Sequence, residues 1–111
     1  MIFRRNAPLY IRRLRPGEAL PGDRLAVIDE GDEVTVISGQ AGGSGPYACI
    51  TLGPFELEMV GILARASSAL AKEGIPIFVI SSYRYDHILV PLEHGEEAVR
   101  CLASIGLEGH D

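Results

Sequence analysis

The sequence predicts one α+β domain in which two helices cover one face of an antiparallel sheet. Its length of 111 residues is the usual size of one domain, and two separate halves would each lack a sufficient core. After residue 46 the hydrophobic pattern reads strand, helix, strand, strand, helix. This order is the split βαβ arrangement of ferredoxin-like folds without its last strand. The right-handed crossover rule then places both helices on the same face of the sheet.

Strand patterns in the first half of the chain are separated by turn signals. A short strand is predicted over residues 9–14, and two more over 24–28 and 33–37. The polar segment Asp29-Glu30-Gly31-Asp32 between the last two is of hairpin length. We therefore expect an N-terminal β-hairpin over 24–38, whose strands could fill the vacant edge of the core sheet. The whole sheet would then contain four to six strands.

The second half of the chain supplies the predicted core, residues 47–106. Helical spacing of apolar residues predicts a first helix from about residue 57 to residue 72, and a second over 93–105. The apolar runs 76–80 and 86–90 read as strands. We divide the chain into a basic N-terminal extension and one domain that joins the hairpin to this core; their bounds are 1–20 and 21–111.

A glycine-rich segment, residues 39–46, resembles a phosphate-binding loop only in composition. A P-loop requires a Lys-Ser/Thr pair followed by a helix, whereas residues 47–52 read as another strand. The same strand excludes a dinucleotide-binding fingerprint. We interpret the segment as a surface loop.

The charge distribution indicates which partners to expect. The net charge is −5, yet six of the ten basic residues lie in the first 24 positions. A basic arm for nucleic acid or a membrane surface is one interpretation; arginines that solvate an edge strand or pair with acids of the main body are the other. The second is favoured because aromatic residues are not interleaved with the arginines. We expect no nucleic-acid or membrane partner and, without a secretory or spanning segment, a cytoplasmic location.

No constellation of residues predicts catalysis or metal binding. The histidines His87, His94 and His110 fall in separate elements, and Ser82 lacks a nucleophile-elbow frame. Cys49 and the second cysteine, Cys101, are interpreted as buried small hydrophobes, and a disulfide between them stays open. We expect a non-enzymatic protein with no metal and no cofactor.

A binding site is better supported by the residues around the first helix. That helix begins without an evident Ser, Thr or Asn cap, so its free amides and the dipole could hold a carboxylate. Gly61 in its first turn would let a ligand approach the backbone, and Ser81, Ser82 and Asp86 are expected at the same end of the sheet. The structural alternative is that Glu56 or a neighbouring acid caps the helix, that Gly61 only permits close packing, and that residues 81–86 form an ordinary turn.

The stretch from residue 55 to residue 91, FELEMVGILARASSALAKEGIPIFVISSYRYDHILVP, resembles the ACT domain. The likeness is greatest to the branch in regulatory parts of aspartate kinases and in cytosolic amino-acid sensors. It implies a βαββαβ fold, a homodimer formed through the sheet edge, and a ligand at the seam between two units. By position, the implied ligand shell is Met59, Val60, Gly61, Ser82, Tyr83 and Asp86.

Two departures from the ACT pattern bear on that site. Met59 stands where many relatives have a small or hydroxyl residue, which would narrow or close the pocket. Only one unit is evident, so a paired site requires a homodimer or an N-terminal half that acts as a degenerate second unit. Both stay open.

The resulting hypothesis is an amino-acid-binding regulatory domain. The alternative is a ligand-free interaction or structural module that pairs through its sheet edge. The sequence identifies neither the ligand nor the regulated partner.

Overall fold

The computed structural model describes residues 2–55 and 61–107. Their regular elements are seven strands, two helices and one 3₁₀ turn, Leu92–His94, which leads directly into the second helix. The strands are β1 Ile2–Arg4, β2 Leu9–Arg13, β3 Arg24–Asp29, β4 Val34–Ser38, β5 Ser44–Leu52, β6 Phe78–Ser81 and β7 Asp86–Pro91, and the helices are α1 Ile62–Lys72 and α2 Gly95–Ser104.

The core follows the predicted order of elements, β5-α1-β6-β7-α2, with the strands side by side as β5-β7-β6. Alternate residues of β5 and β7 share the helix-facing side of the sheet. Their apolar side chains form one cluster with residues of both helices: Ala48, Ile50, Leu52, Ile88 and Val90 from the strands, and Ala66, Leu70, Ala98 and Leu102 from the helices. The prediction of two helices on one face of an antiparallel sheet is therefore confirmed.

The vacant edge beside β5 is filled by the N-terminal strands and not by the predicted hairpin. Ile2 pairs with Leu52 and Arg4 with Ile50 in β1, and Leu9 pairs with Tyr47 in β2. β1 occupies the place that the last strand of a βαββαβ fold would take, and Ile2 packs against the helix-facing core. The sheet consequently has seven strands, more than a simple ferredoxin-like sheet and more than the expected four to six.

The hairpin β3–β4 continues the sheet beyond β2, giving the order β3-β4-β2-β5-β7-β6. A second apolar cluster lies on the face away from the helices and contains Leu9, Ile37, Cys49 and Leu89. Ala26 from one end of the sheet and Ile80 from the other both pack against it. Cys49, Leu89 and Ile37 are buried there, although both described helices pack on the other face. The sheet therefore curls over this cluster, and the chain's own strands cover much of the face that sequence reasoning left open or assigned to a partner.

The glycine-rich segment is held against β2 and is shorter than the predicted loop, because β5 already begins at Ser44. Gly43 has a φ of 72°, and a Cβ there would overlap the carbonyl oxygen of Ile11. A Cβ on Gly45 would lie 2.9 Å from the ring of Tyr10. Glycine is required here because the backbones approach closely.

Helix α1 is described from Ile62, so the predicted start near residue 57 lies outside the described residues. It ends at Lys72, as predicted, and Gly74 follows with a φ of 73°. Within residues 2–55 and 61–107, neither helix is long and apolar enough to cross a membrane.

Candidate functional site

Two connections meet at the end of the sheet where α1 begins. The chain leaves β5 at Leu52, and the amide of Phe55 donates to the carbonyl of Arg84 in the β6–β7 turn over 2.8 Å. Gly53, with a φ of 130°, lies against the same carbonyl, and a Cβ there would be 2.6 Å from its oxygen. These contacts hold the β5–α1 connection against the turn that leads into Asp86.

The start of α1 is polar backbone without a capping side chain. Gly61 precedes the helix in a left-handed conformation, φ 81°, and its carbonyl accepts the first helical hydrogen bond from Arg65 at 3.0 Å. It therefore lies just before the first turn in which sequence reasoning placed it. No described side chain caps this end, and the first turn has no acidic residue. Among the described residues, the positive end of the helix dipole therefore meets no anionic side chain. Glu56 and Glu58, the acids that sequence reasoning weighed as caps, lie outside the described residues.

Glycine at position 61 is explained by its backbone conformation. A side chain would strain the left-handed backbone, which favours glycine. No described atom lies within 4 Å of a Cβ built on Gly61. The described residues therefore do not supply the close packing that sequence reasoning weighed as the alternative to ligand access.

Asp86 lies at the first position of β7, opposite Leu52 of β5 and Ser81 of β6. This register puts it on the helix-facing side, at the end of the sheet where α1 starts. The hydroxyl of Ser81 donates to Asp86 Oδ1 at 2.6 Å. Among the described residues the Oδ2 atom accepts no hydrogen bond. Asp86 therefore offers an oriented carboxylate oxygen at the end of the sheet where α1 starts.

The other predicted site residues are distributed differently. The amide of Ser82 donates to the carbonyl of Tyr85 at 2.8 Å and closes the turn. Its hydroxyl lies 3.5 Å from Nε2 of His87, on the side of the sheet away from Asp86. Tyr83 is 76% exposed at the tip of the turn. Met59 and Val60 lie outside the described residues. Of the residues that the sequence analysis named, the structure brings Ser81 and Asp86 together at the end of the sheet where α1 starts.

A polar cluster on the opposite face was missed by sequence reasoning. The buried hydroxyl of Thr51 lies 2.9 Å from Nδ1 of His87, whose ring stacks on that of Tyr85 at 6.3 Å. Partial burial, followed by the positive charge of Arg5, lowers the pKa of His87. The alternation of residues along β5 already indicated that Thr51 shares a face with Cys49. It did not indicate that His87 is the residue opposite Thr51 on the neighbouring strand.

Cys49 is buried, as predicted, and burial raises the pKa of its thiol. Cys101 is only half-buried, in a groove between the helices, and burial also raises the pKa of its thiol. Both thiols are free, which excludes the intramolecular disulfide left open above. Over the described part of the chain, no group of three or more His, Cys, Asp or Glu side chains could hold a metal ion.

The sequence profile of the ACT domain matches residues 46–104, more than half of the chain. The protein belongs to the ACT-domain family, whose members commonly bind small ligands and act in regulation. This match confirms the resemblance seen in residues 55–91, while the narrower branch within the family stays a prediction.

Two solved structures resemble the whole fold, including the N-terminal strands. A protein of unknown function from Vibrio cholerae, described with its crystal structure as a possible transport protein, is 25% identical with a TM-score of 0.77. The match covers 91% of this chain and 85% of that one. A protein from Agrobacterium tumefaciens is 29% identical with a TM-score of 0.71, over 94% and 90% of the two chains. A search of curated proteins returns no significant match.

Proposed function

We propose that the protein is a cytoplasmic regulatory ACT domain that binds a small amino acid between the start of α1 and Asp86. The observation that carries the proposal is a helix N-terminus that no described side chain caps, at the same end and on the same side of the sheet as an oriented carboxylate. An α-amino acid presents the complementary pair of charges. Membership of a family that commonly binds small ligands supports the same assignment.

Each end of the zwitterion has its own partner in this proposal. The ligand carboxylate accepts hydrogen bonds from amides at the start of α1, where no described side chain crowds Gly61. The ammonium group donates to Asp86, whose orientation is set by Ser81. Met59, Val60 and the exposed Tyr83 complete the shell in the proposal, as the family resemblance implies.

A second copy of the chain is proposed to complete the pocket. Within residues 2–55 and 61–107, β6 is an edge strand that pairs with β7 alone, and Phe78 on it is 51% exposed. Pairing of two β6 edges would place the β6–β7 turns of both copies, which carry Tyr83, along the seam. A ligand that prefers this dimer shifts the population by its differential affinity for the two states, and that shift is the regulatory signal.

The test is a thermal-unfolding screen against each of the twenty amino acids. A ligand at a roughly hundredfold excess over its Kd adds about 2.7 kcal/mol to the free energy of unfolding, so it raises the melting temperature. The Asp86→Asn variant should then weaken that ligand's affinity about tenfold or more by calorimetry, because it loses a charge-assisted hydrogen bond. Asparagine can still accept from Ser81, so the fold is retained.

Asp32→Asn serves as the matched control, since it removes the same charge from the exposed β3–β4 turn. Equal affinities for the parent, Asp86→Asn and Asp32→Asn would contradict the proposed role of Asp86. No stabilisation by any amino acid would contradict the ligand class.

The second candidate function, a ligand-free docking module, is favoured by the exposed β6 edge with Phe78. Main-chain pairing at that edge requires no small molecule. A Phe78→Lys variant that abolishes self-association, in a protein that no amino acid stabilises, would support this function over ligand binding.

A further inference from the structure

The strand at the other end of the sheet, β3, is an edge with a distinct charge pattern. Among the described strands it pairs with β4 alone, and it begins and ends with residues of opposite charge, Arg24 and Asp29. Between them Val27 and Ile28 are 38% and 39% exposed, unusual for apolar residues at an unpaired edge. β3 lies outside the segment matched by the ACT profile.

A bulge in β3 makes the two charges symmetric about the middle of the strand. Val27 lies opposite Val36 of β4. Asp29 lies opposite Val34, which is two positions before Val36 along β4. Because the register shifts between Arg24 and Ala26, Arg24 lies opposite Ser38, which is two positions after Val36 along β4. Arg24, Val27 and Asp29 therefore share one face, with the charged residues equally spaced from the valine.

We infer that β3 is the contact surface for a second copy of this chain, which pairs with it antiparallel about a two-fold axis at Val27. In that register Arg24 faces Asp29 of the second copy, and the symmetric pair forms on the other side of the axis. Ile28 faces Ala26 of the second copy on the opposite face, so a large side chain meets a small one. The same strand supplies both halves of the contact, as an isologous interface requires.

Both charged side chains are held at the ends of the strand by local bonds. Arg24 donates from Nη1 to the carbonyl of Pro21 at 2.7 Å, and the amide of Gly31 donates to Asp29 Oδ1 at 2.8 Å. Among the described residues, no acid lies within ion-pair distance of Arg24 and no base within that distance of Asp29. Their remaining polar atoms are available to oppositely charged groups of another molecule.

Charge at an edge strand ordinarily prevents pairing with other chains. Here the two signs stand at mirrored positions, so that self-pairing joins unlike charges, whereas pairing with a displaced register separates them. The β6 edge, proposed above for the ligand seam, consists of Phe78-Val79-Ile80-Ser81 and has no charge to select a register. The β3 edge is distinct from it, because its two charges select one register for pairing with a second copy.

Charge reversal tests this contact by sedimentation equilibrium over a roughly hundredfold range of protein concentration. In Arg24→Glu the new glutamate faces Asp29 of the second copy, and the two-fold axis repeats this like-charge contact on its other side. In Asp29→Arg the new arginine faces Arg24 in the same two places, so each variant should weaken association through β3 about tenfold or more. The double variant Arg24→Glu/Asp29→Arg restores unlike pairs across the two-fold axis and should recover the parental dimer. It loses both local bonds, so recovery cannot come from restored folding.

Two further variants keep the test decisive. Val27→Lys places two like charges at the axis and should dissociate the β3 contact, whereas Phe78→Lys at the β6 edge should leave it intact. A monomeric parent, a double variant no better than the single ones, or loss of association only in Phe78→Lys would overturn the inference. None of these outcomes depends on a ligand, so the proposed function is tested separately.

Discussion

Gly43→Ala should destabilise the protein strongly, because this glycine allows β5 to lie against β2. The left-handed backbone at φ 72° costs an alanine about 1 kcal/mol. The added Cβ would also overlap the carbonyl oxygen of Ile11, a backbone atom that cannot move without disturbing the β2–β5 pairing. Relief of that overlap costs about 2 kcal/mol more. The expected total is about 3 kcal/mol, or about 13 °C in melting temperature for a domain of this size.

The chain supplies a matched control in Gly31, which has a similar left-handed conformation, φ 95°, with no atom within 4 Å of a built Cβ. Gly31→Ala should lose only the conformational part, about 1 kcal/mol. Urea unfolding followed by far-ultraviolet circular dichroism measures both free energies in a protein that has no tryptophan. Equal losses for Gly43→Ala and Gly31→Ala would refute the close approach of the two strands.

Three further predictions concern protonation, thiol access and the core. Burial lowers the pKa of His87 in the folded state below its ordinary value of 6.5. The contribution of His87 to the free energy of unfolding should therefore be greatest above pH 6.5 and be lost as the pH falls from there through the folded pKa; His87→Gln should remove that slope from unfolding curves measured across the window. A disulfide-exchange reagent should titrate Cys101 in the native protein and Cys49 only after unfolding, so two native thiols of equal rate would contradict the burial of Cys49. Leu70→Ala should lower the free energy of unfolding by about 3 kcal/mol, because Leu70 is fully buried in the helix-facing core. Leu20→Ala, at an exposed leucine, should lower it by less than about 0.5 kcal/mol. Similar losses for the two variants in urea unfolding would contradict the assigned core.

The helical core was predictable because its signals are local. The apolar spacing in α1, Gly74 after its last turn and the apolar run in β7 each follow from a few neighbouring residues. Together they give the strand–helix order, and chain order with crossover handedness then restricts the topology. The ACT resemblance rests on the same segment, which explains why this part of the prediction was confirmed.

The N-terminal strands were less predictable because their partners are distant in sequence. Ile2 pairs with Leu52, and two arginines directly follow the short apolar start of β1, so no strand pattern develops there. The curl of the sheet depends on contacts such as Ala26 and Ile80 with one cluster, which no local pattern encodes. Non-local pairing of this kind is set by packing of the whole sheet.

At the candidate site, sequence reasoning anticipated the residue types better than their orientation. Asp86 and the α1 start lie at one end of the sheet, as expected from the order of elements. The direction of Ser82 depends on the turn geometry that joins it to Tyr85, and this geometry puts its hydroxyl near His87. Ser81, named only as a neighbouring hydroxyl, is the residue that orients Asp86.

The proposed site at the start of α1 is tested most directly by amide-resolved NMR, with each of the twenty amino acids added in turn. Binding as proposed should shift the amides of Gly61 and Ile62 together with that of Asp86, saturably, for at least one amino acid. Under Asp86→Asn the same shifts should require about tenfold more of that amino acid. Spectra in which none of these amides moves, or in which saturable shifts fall elsewhere in the sheet, would contradict the account.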